Sequence, residues 1–267
     1  MSKYPLTNIH PDAKIADNVV IEPFTSVYAD VEIGEGTWIG PNVTIMDGAR
    51  IGKNCQIFPG AVVSGIPQDL KYRGEKTVAI IGDNTVIREC VTISRGTAEK
   101  FKTVVGANCL LMAYVHIAHD CIVGDYNIFS NSVQMAGHVE TGHHVTIGGT
   151  AALQQFAKVG DYAFVTAGVL VRKDIPPYVK AGRSPLSYCG INVVKLKREN
   201  FSTQAITQIQ DIYRTLYLRG FNRKQALEEI KSHIALLPEG QNIVDFVTSS
   251  KKGIISGLRS SDSGEDE

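Results

Sequence analysis

Large apolar residues occupy every sixth position of this chain, in one register that runs from Ile9 to Val171. The series opens Ile9, Ile15, Ile21, Val27, Ile33, Ile39 and is still in phase at Leu153, Val159, Val165 and Val171. Only Asp69, Glu75, Glu99 and Thr141 depart from it. Two places before many of these positions stands a small residue, as at Thr37, Ala49, Cys55, Ala61, Cys109 and Ala163, and glycine often follows. Each hexad therefore reads as a short strand with one large and one small inward residue, closed by a corner. A single hexad cannot bury its apolar face, so hexads must wind into stacked coils. Three hexads per coil make a triangular prism with about 4.8 Å between coils. Residues 18 apart then stand above one another. The predicted fold is an all-β solenoid, a parallel β-helix of hexapeptide repeats, over residues 1–192.

The period stops at Asp174-Ile-Pro-Pro-Tyr178, where two prolines end the strand pattern. A helical domain is expected over 193–257. Ser202 or Thr203 caps a helix with Ile206, Ile209, Ile212, Tyr213 and Leu216 on one stripe, closed by Gly220. Asn222 caps a second carrying Leu227, Ile230 and Ile234, and Pro238 opens a third near Ile243–Val247. Residues 258–267 are acidic and serine-rich, a composition expected to be disordered.

Composition narrows the picture. The 27 basic and 27 acidic residues cancel, which argues against a nucleic-acid partner or an acidic membrane surface. Five cysteines, with Cys55, Cys109 and Cys121 on small inward positions and no CxxC pair, point to a reducing compartment rather than a disulfide framework or zinc ribbon. Neither a signal pattern nor a transmembrane-length apolar run is present, so a cytoplasmic protein is expected.

Where the period fails, the chain is polar and must leave the coil. Residues 64–79 do so around Asp69 and Glu75, and residues 94–104 around Glu99. Loops on a rigid scaffold are common homes for binding residues. The 18-residue step then sets His119 beneath Gly137, Gly137 beneath Gln155, Asp120 beneath His138 and His116 beneath Gln134. One strip of the prism gathers His, Asp, Gly, His and Gln, which is a catalytic pattern.

The block Ile117-Ala-His-Asp-Cys121, the loop Gln68-Asp-Leu-Lys-Tyr-Arg-Gly-Glu75, the step Ala136-Gly-His138 and Gln155-Phe156 resemble bacterial UDP-N-acetylglucosamine acyltransferases. The resemblance extends through Pro176-Pro177-Tyr178-Val179 and Lys197-Arg198 into the helical end. It implies a left-handed β-helix and a homotrimer. The implied reaction moves an (R)-3-hydroxyacyl group from acyl carrier protein to the sugar 3-hydroxyl, the first step of lipid A synthesis. No separate cofactor is implied, because the donor rides on the carrier's phosphopantetheine, and no metal.

Residue by residue, the resemblance makes His119 the catalytic base, Asp120 its supporting acid and Gly137 the oxyanion donor. A histidine's ordinary pKa of about 6.5 suits such a base, which is worth roughly 10²–10⁴-fold. Asp69, Lys71, His116, His138, Gln155 and Arg198 match substrate-binding positions. Ala167 stands where acyl length is measured and leaves room for a long chain, while Gln154 replaces a histidine common there. Arg214, Arg219, Arg223 and Lys224 are candidates to receive the acidic carrier protein. The alternative is a zinc enzyme on the same fold, similar to γ-class carbonic anhydrases, holding zinc with three histidines across a trimer interface and drawing them from His116, His119, His138, His143 and His144.

Overall fold

The computed structural model describes residues 3–257; the acidic segment 258–267 lies outside the described residues. Strands of mostly two residues recur on the hexad period, from Asn8–Ile9 to Leu170–Val171. Among the described residues they assemble into three parallel sheets of nine, eight and eight such strands, each sheet taking every third strand. Asn8 lies opposite Ser26 and His116 opposite Gln134, which is the 18-residue step. The hexad residues Ile39, Ile57, Ile87, Ile117 and Phe129 are fully buried in the prism, with Cys55, Ala61 and Ala163 in the small sites between them.

Both breaks leave the coil as expected, though more narrowly. Strands Val62–Gly65 and Val78–Ile81 confine the first loop to 66–77, and strands Thr92–Ser94 and Lys102–Val105 confine the second to 95–101. Across them the stacking step lengthens: Val62 lies opposite Thr92, 30 residues on, and Thr92 opposite His116, 24 residues on. Each loop therefore adds whole hexads, and the apolar register survives both. The break at Thr141 is of another kind. Thr141 is buried, and its Oγ1 accepts from Asn127 Nδ2 at 2.9 Å inside the prism.

The outer faces differ. The second sheet turns Lys14, Glu32, Arg50, Glu140 and Lys158 outward, linked by pairs such as Lys14–Glu32 (3.0 Å) and Lys158–Glu140 (2.8 Å). The third presents Val20, Trp38, Val86, Leu110, Ile128 and Phe164. Residues of the first are small, polar or uncharged, such as Ser26, Thr44, Thr92, Gln134 and Ala152.

The prolines at 176–177 do not end the sheet structure. Val179–Gly182 adds one more parallel strand beside Phe164–Val165, and Ser187–Ile191 turns back antiparallel on it. That hairpin closes the open edge of the third sheet. Four helices follow: α1 (Val193–Arg198), α2 (Thr203–Tyr217), α3 (Arg223–His233) and α4 (Pro238–Ser249). The short α1 was not foreseen, since it buries only Leu196 and shows little periodicity. Ser202 caps α2, and Asn222 caps α3 in a reciprocal box with Gln225. Tyr213 of α2 donates to Pro177 O at 2.6 Å, and Asn242 of α4 donates to Asp161 and to Tyr178, both at 2.9 Å. These bonds seat the helices on the last coils.

Candidate active site

Strand His116–Ile117 ends at the corner between the first and second sheets, and the chain turns there through His119 and Asp120. Asp120 takes the left-handed backbone conformation (φ 60°) that this corner repeats at His138 (φ 62°) and Phe156 (φ 66°) one and two coils on. The stack foreseen from the 18-residue step is present. His138 N–H donates to His119 O at 3.1 Å, and Phe156 N–H to Gly137 O at 3.2 Å.

His119 is only 7% exposed, and its Nδ1 lies 2.8 Å from Asp120 Oδ2. An ionised carboxylate only accepts, so Nδ1 carries the proton and Nε2 is the basic nitrogen. Asp120 is fully buried. Burial alone would raise its pKa, but hydrogen bonds from Thr97 and His119 outweigh it and hold the carboxyl below its ordinary value. His119 and Gly137 are in contact: a Cβ on Gly137 would fall 2.6 Å from His119 Cε1 and 2.8 Å from Nε2. Among the described residues, the Gly137 N–H donates to no backbone acceptor.

A cavity of about 620 Å³ opens in front of this pair, lined by Asp69 and Lys71 from the first loop and by His116, His119, Gly137 and Gln155 from the corner strip. Asp69 Oδ1 accepts the Lys71 N–H at 2.9 Å, which shapes the loop as it passes over the corner. Leu70 between them is 96% exposed. His116 Nδ1 pairs with Thr92 Oγ1 at 2.7 Å, and burial lowers its pKa, with nearby His119 adding to the effect.

Besides Asp120, three foreseen residues stand outside the cavity wall. His138 is buried behind His119, ring edge to face at 5.2 Å, and is stacked on Phe156 at 4.6 Å. Its Nε2 lies 3.7 Å from both Asp120 and Glu99, and burial lowers its pKa against the pull of those acids. Arg198 is exposed at the end of α1, beside the corner between the second and third sheets. Ala167 is exposed at the third corner, after strand Phe164–Val165. The helix cations have local partners: Arg214 pairs with Asp211 (2.9 Å), Arg219 with Glu229 and Lys224 with Glu228 (both 3.9 Å).

Thr97 is the site residue that the sequence reading missed. It reaches Asp120 twice, through its N–H to Oδ1 at 2.9 Å and its Oγ1 to Oδ2 at 2.6 Å. Its segment was recognisable as a loop, but a period along the chain says nothing about which coil a loop folds onto. The ligand atoms of His119, Asp120 and His138 lie within 4.8 Å of one another, close enough for a metal. However, both Asp120 oxygens and His119 Nδ1 are already committed to hydrogen bonds. His144 lies at another corner, stacked between Tyr126 and Tyr162. Among the described residues of one chain, the cluster at metal-binding distance holds two histidines and an aspartate rather than three histidines.

Residues 174–255 match the family described as UDP-N-acetylglucosamine O-acyltransferase, domain 2, and residues 30–65 and 102–137 match the bacterial transferase hexapeptide repeat. An acyl-[acyl-carrier-protein]–UDP-N-acetylglucosamine O-acyltransferase of Thiobacillus denitrificans is 45% identical over 94% of this chain and 98% of its own. Among solved structures, LpxA, a UDP-N-acetylglucosamine acyltransferase from Bacteroides fragilis, superposes with a TM-score of 0.92 at 46% identity, covering 94% of this chain and 98% of its own. The UDP-N-acetylglucosamine acyltransferase of Francisella novicida superposes at 0.93 with 39% identity, covering 96% and 95%.

Proposed function

This chain belongs to the UDP-N-acetylglucosamine O-acyltransferase family, and on that premise we propose how its cavity carries out the transfer. The donor is an (R)-3-hydroxyacyl thioester on acyl carrier protein, and the acceptor is the 3-hydroxyl of UDP-N-acetylglucosamine, at the first step of lipid A synthesis in the cytoplasm. The observation that carries the mechanism is the bond between Asp120 and His119 Nδ1, which leaves Nε2 as a base on the cavity wall beside Gly137.

His119 Nε2 takes the proton of the sugar 3-hydroxyl as its oxygen attacks the thioester carbonyl. The new C–O bond puts negative charge on the former carbonyl oxygen, and the Gly137 N–H donates to it. Donors of this kind are worth about 2.7–4 kcal/mol. The tetrahedral intermediate collapses with loss of the C–S bond, and the imidazolium returns its proton to the departing thiolate. The products are an ester at the sugar 3-oxygen and the free carrier thiol, with no acyl-enzyme. Asp120 holds the base in this tautomer and stabilises the imidazolium. Asp69, Lys71, His116 and Gln155 hold the nucleotide sugar, with Lys71 a suitable partner for phosphate. His138 braces the pair from behind.

A homotrimer completes the site. Two of the three prism faces carry little charge, and the third sheet's outer face is apolar, so pairing the first sheet of one copy with the third of the next buries both. Such a contact between unlike faces repeats around a closed ring. It brings the corner bearing His119 toward the neighbour's corner beside α1, and with it the neighbour's Arg198. The cleft between the two sheets leads to the corner bearing Ala167, where the acyl tail ends. The test is acyl transfer by His119→Ala with carrier proteins loaded at several chain lengths. Turnover is expected to vanish while the oligomer persists, and retained turnover removes His119 from the base role.

A further inference from the structure

The loop 95–101 breaks the hexad period, and its shortest side-chain bond, from Thr97 Oγ1, goes to Asp120. Thr97 is 6% exposed and offers the carboxylate two donors, N–H to Oδ1 (2.9 Å) and Oγ1–H to Oδ2 (2.6 Å). The direction of the second is fixed, because an ionised carboxylate only accepts. The same hydroxyl receives the Glu99 N–H at 3.3 Å. Both carboxylate oxygens are thereby held by one residue, and Oδ2 is left facing His119 Nδ1 at 2.8 Å. Asp120 is also held from its backbone, its N–H donating to Thr103 Oγ1 at 2.8 Å.

The loop itself is anchored on both sides. Arg95 N–H donates to Gly65 O at 2.9 Å and Gly96 N–H to Val78 O at 3.2 Å. Lys100 reaches across to Glu140 at 2.8 Å. Arg95 further joins the loop to the one bearing Asp69 and Lys71, through Nε to Tyr72 Oη at 3.2 Å.

We propose that Thr97 is a positioning residue for the transfer, a two-point clamp that fixes the rotation of the Asp120 carboxylate and through it the tautomer and aim of His119. The inference rests on the reading of His119 as general base. Without the hydroxyl, the carboxylate keeps one donor from Thr97 and is free to swing about it, so the imidazole loses its fixed acceptor. The sugar-binding wall of the cavity contains no atom of Thr97, so substrate affinity has no reason to change.

Thr97→Val keeps the shape and the backbone donor and removes only the hydroxyl, whereas Thr97→Ser restores it. Thr97→Val is expected to lower kcat about tenfold, the loss of one hydrogen bond to a charged group, with KM for the nucleotide sugar unchanged and Thr97→Ser recovering most of the rate. Histidine-labelled 15N spectra of the same proteins read the tautomer directly. The His119 signal is expected to show one tautomer in the wild type and Thr97→Ser, and a mixture in Thr97→Val. Unchanged kcat, a loss appearing in KM, or a wild-type tautomer signal in Thr97→Val would each overturn the clamp. The spectra are independent of turnover, so a failure of His119 as base would appear separately, as activity surviving in His119→Ala.

Discussion

The imidazole of His119 occupies the space that a side chain at Gly137 would need. A Cβ there would meet Cε1 at 2.6 Å and Nε2 at 2.8 Å, closer than carbon atoms pack. The glycine was expected to leave its own N–H accessible. The structure adds that it makes room for the His119 ring, so the proposed base and the proposed oxyanion donor share a single steric requirement.

Gly137→Ala is therefore expected to leave the coil intact and displace the ring. Misplacing a reacting group by about 1 Å can cost about 10²-fold in rate. Steady-state kinetics on the variant should show a kcat loss of that order with an unchanged circular dichroism spectrum and melting temperature. A fully active variant would show that the ring has room to move.

Acid should weaken the fold in two windows. Burial depresses the pKa of His116, His138 and His144 in the folded chain. From the ordinary value of about 6.5 down to the folded values, the unfolded chain binds more protons, so stability falls as pH falls. Asp120 is also depressed, so its contribution is present above the ordinary carboxylate value of about 3.9 and is lost only below it. His144 lies between Tyr126 and Tyr162 with ring centroids 4.7 Å away on either side, and phenylalanine would preserve that stack. Melting curves between about pH 7 and pH 5 should show a declining midpoint, with a shallower decline in His144→Phe.

Asn127 tests the polar interruption of the core. Its Nδ2 donates to Thr141 Oγ1, Gly124 O and Gly142 O, and its Oδ1 accepts the Val145 N–H at 2.6 Å. Asn127→Ala leaves buried groups unpaired and is expected to cost about 2 kcal/mol in urea unfolding. Thr141→Val should cost less, since Nδ2 retains two carbonyl acceptors.

Assembly offers a separate check. Leu110 stands on the apolar outer face of the third sheet. Leu110→Lys places a charge there and should shift sedimentation from three chain masses toward one. Activity should fall in step with the oligomer, because in the proposed trimer Arg198 and Ala167 serve a neighbour's cavity. A monomeric wild type would remove the shared site.

Much of this molecule was legible because a solenoid turns sequence distance into spatial distance. The core, the strip from His119 to Gln155 and the caps at Ser202 and Asn222 all follow from periodicity and local chemistry. Thr97 did not, because its partner lies 23 residues away through a loop whose path no period describes. The hairpin after Pro177 and the short α1 were hidden for a different reason. Prolines signal the end of a repeat, but Val179–Gly182 regains its place by pairing with a strand already built.

The stacked coil also imposes a unit of length. Gly149 and Ala167 occupy one corner 18 residues apart, and Thr166 and Ala167 sit directly over Gly148. A side chain that blocks the cleft at this corner can be moved only by a whole coil, about 4.8 Å. On the proposed reading, fatty chains measured against such a wall are graded in discrete steps, and substitutions confined to this corner change which step is chosen without touching the proposed base, His119.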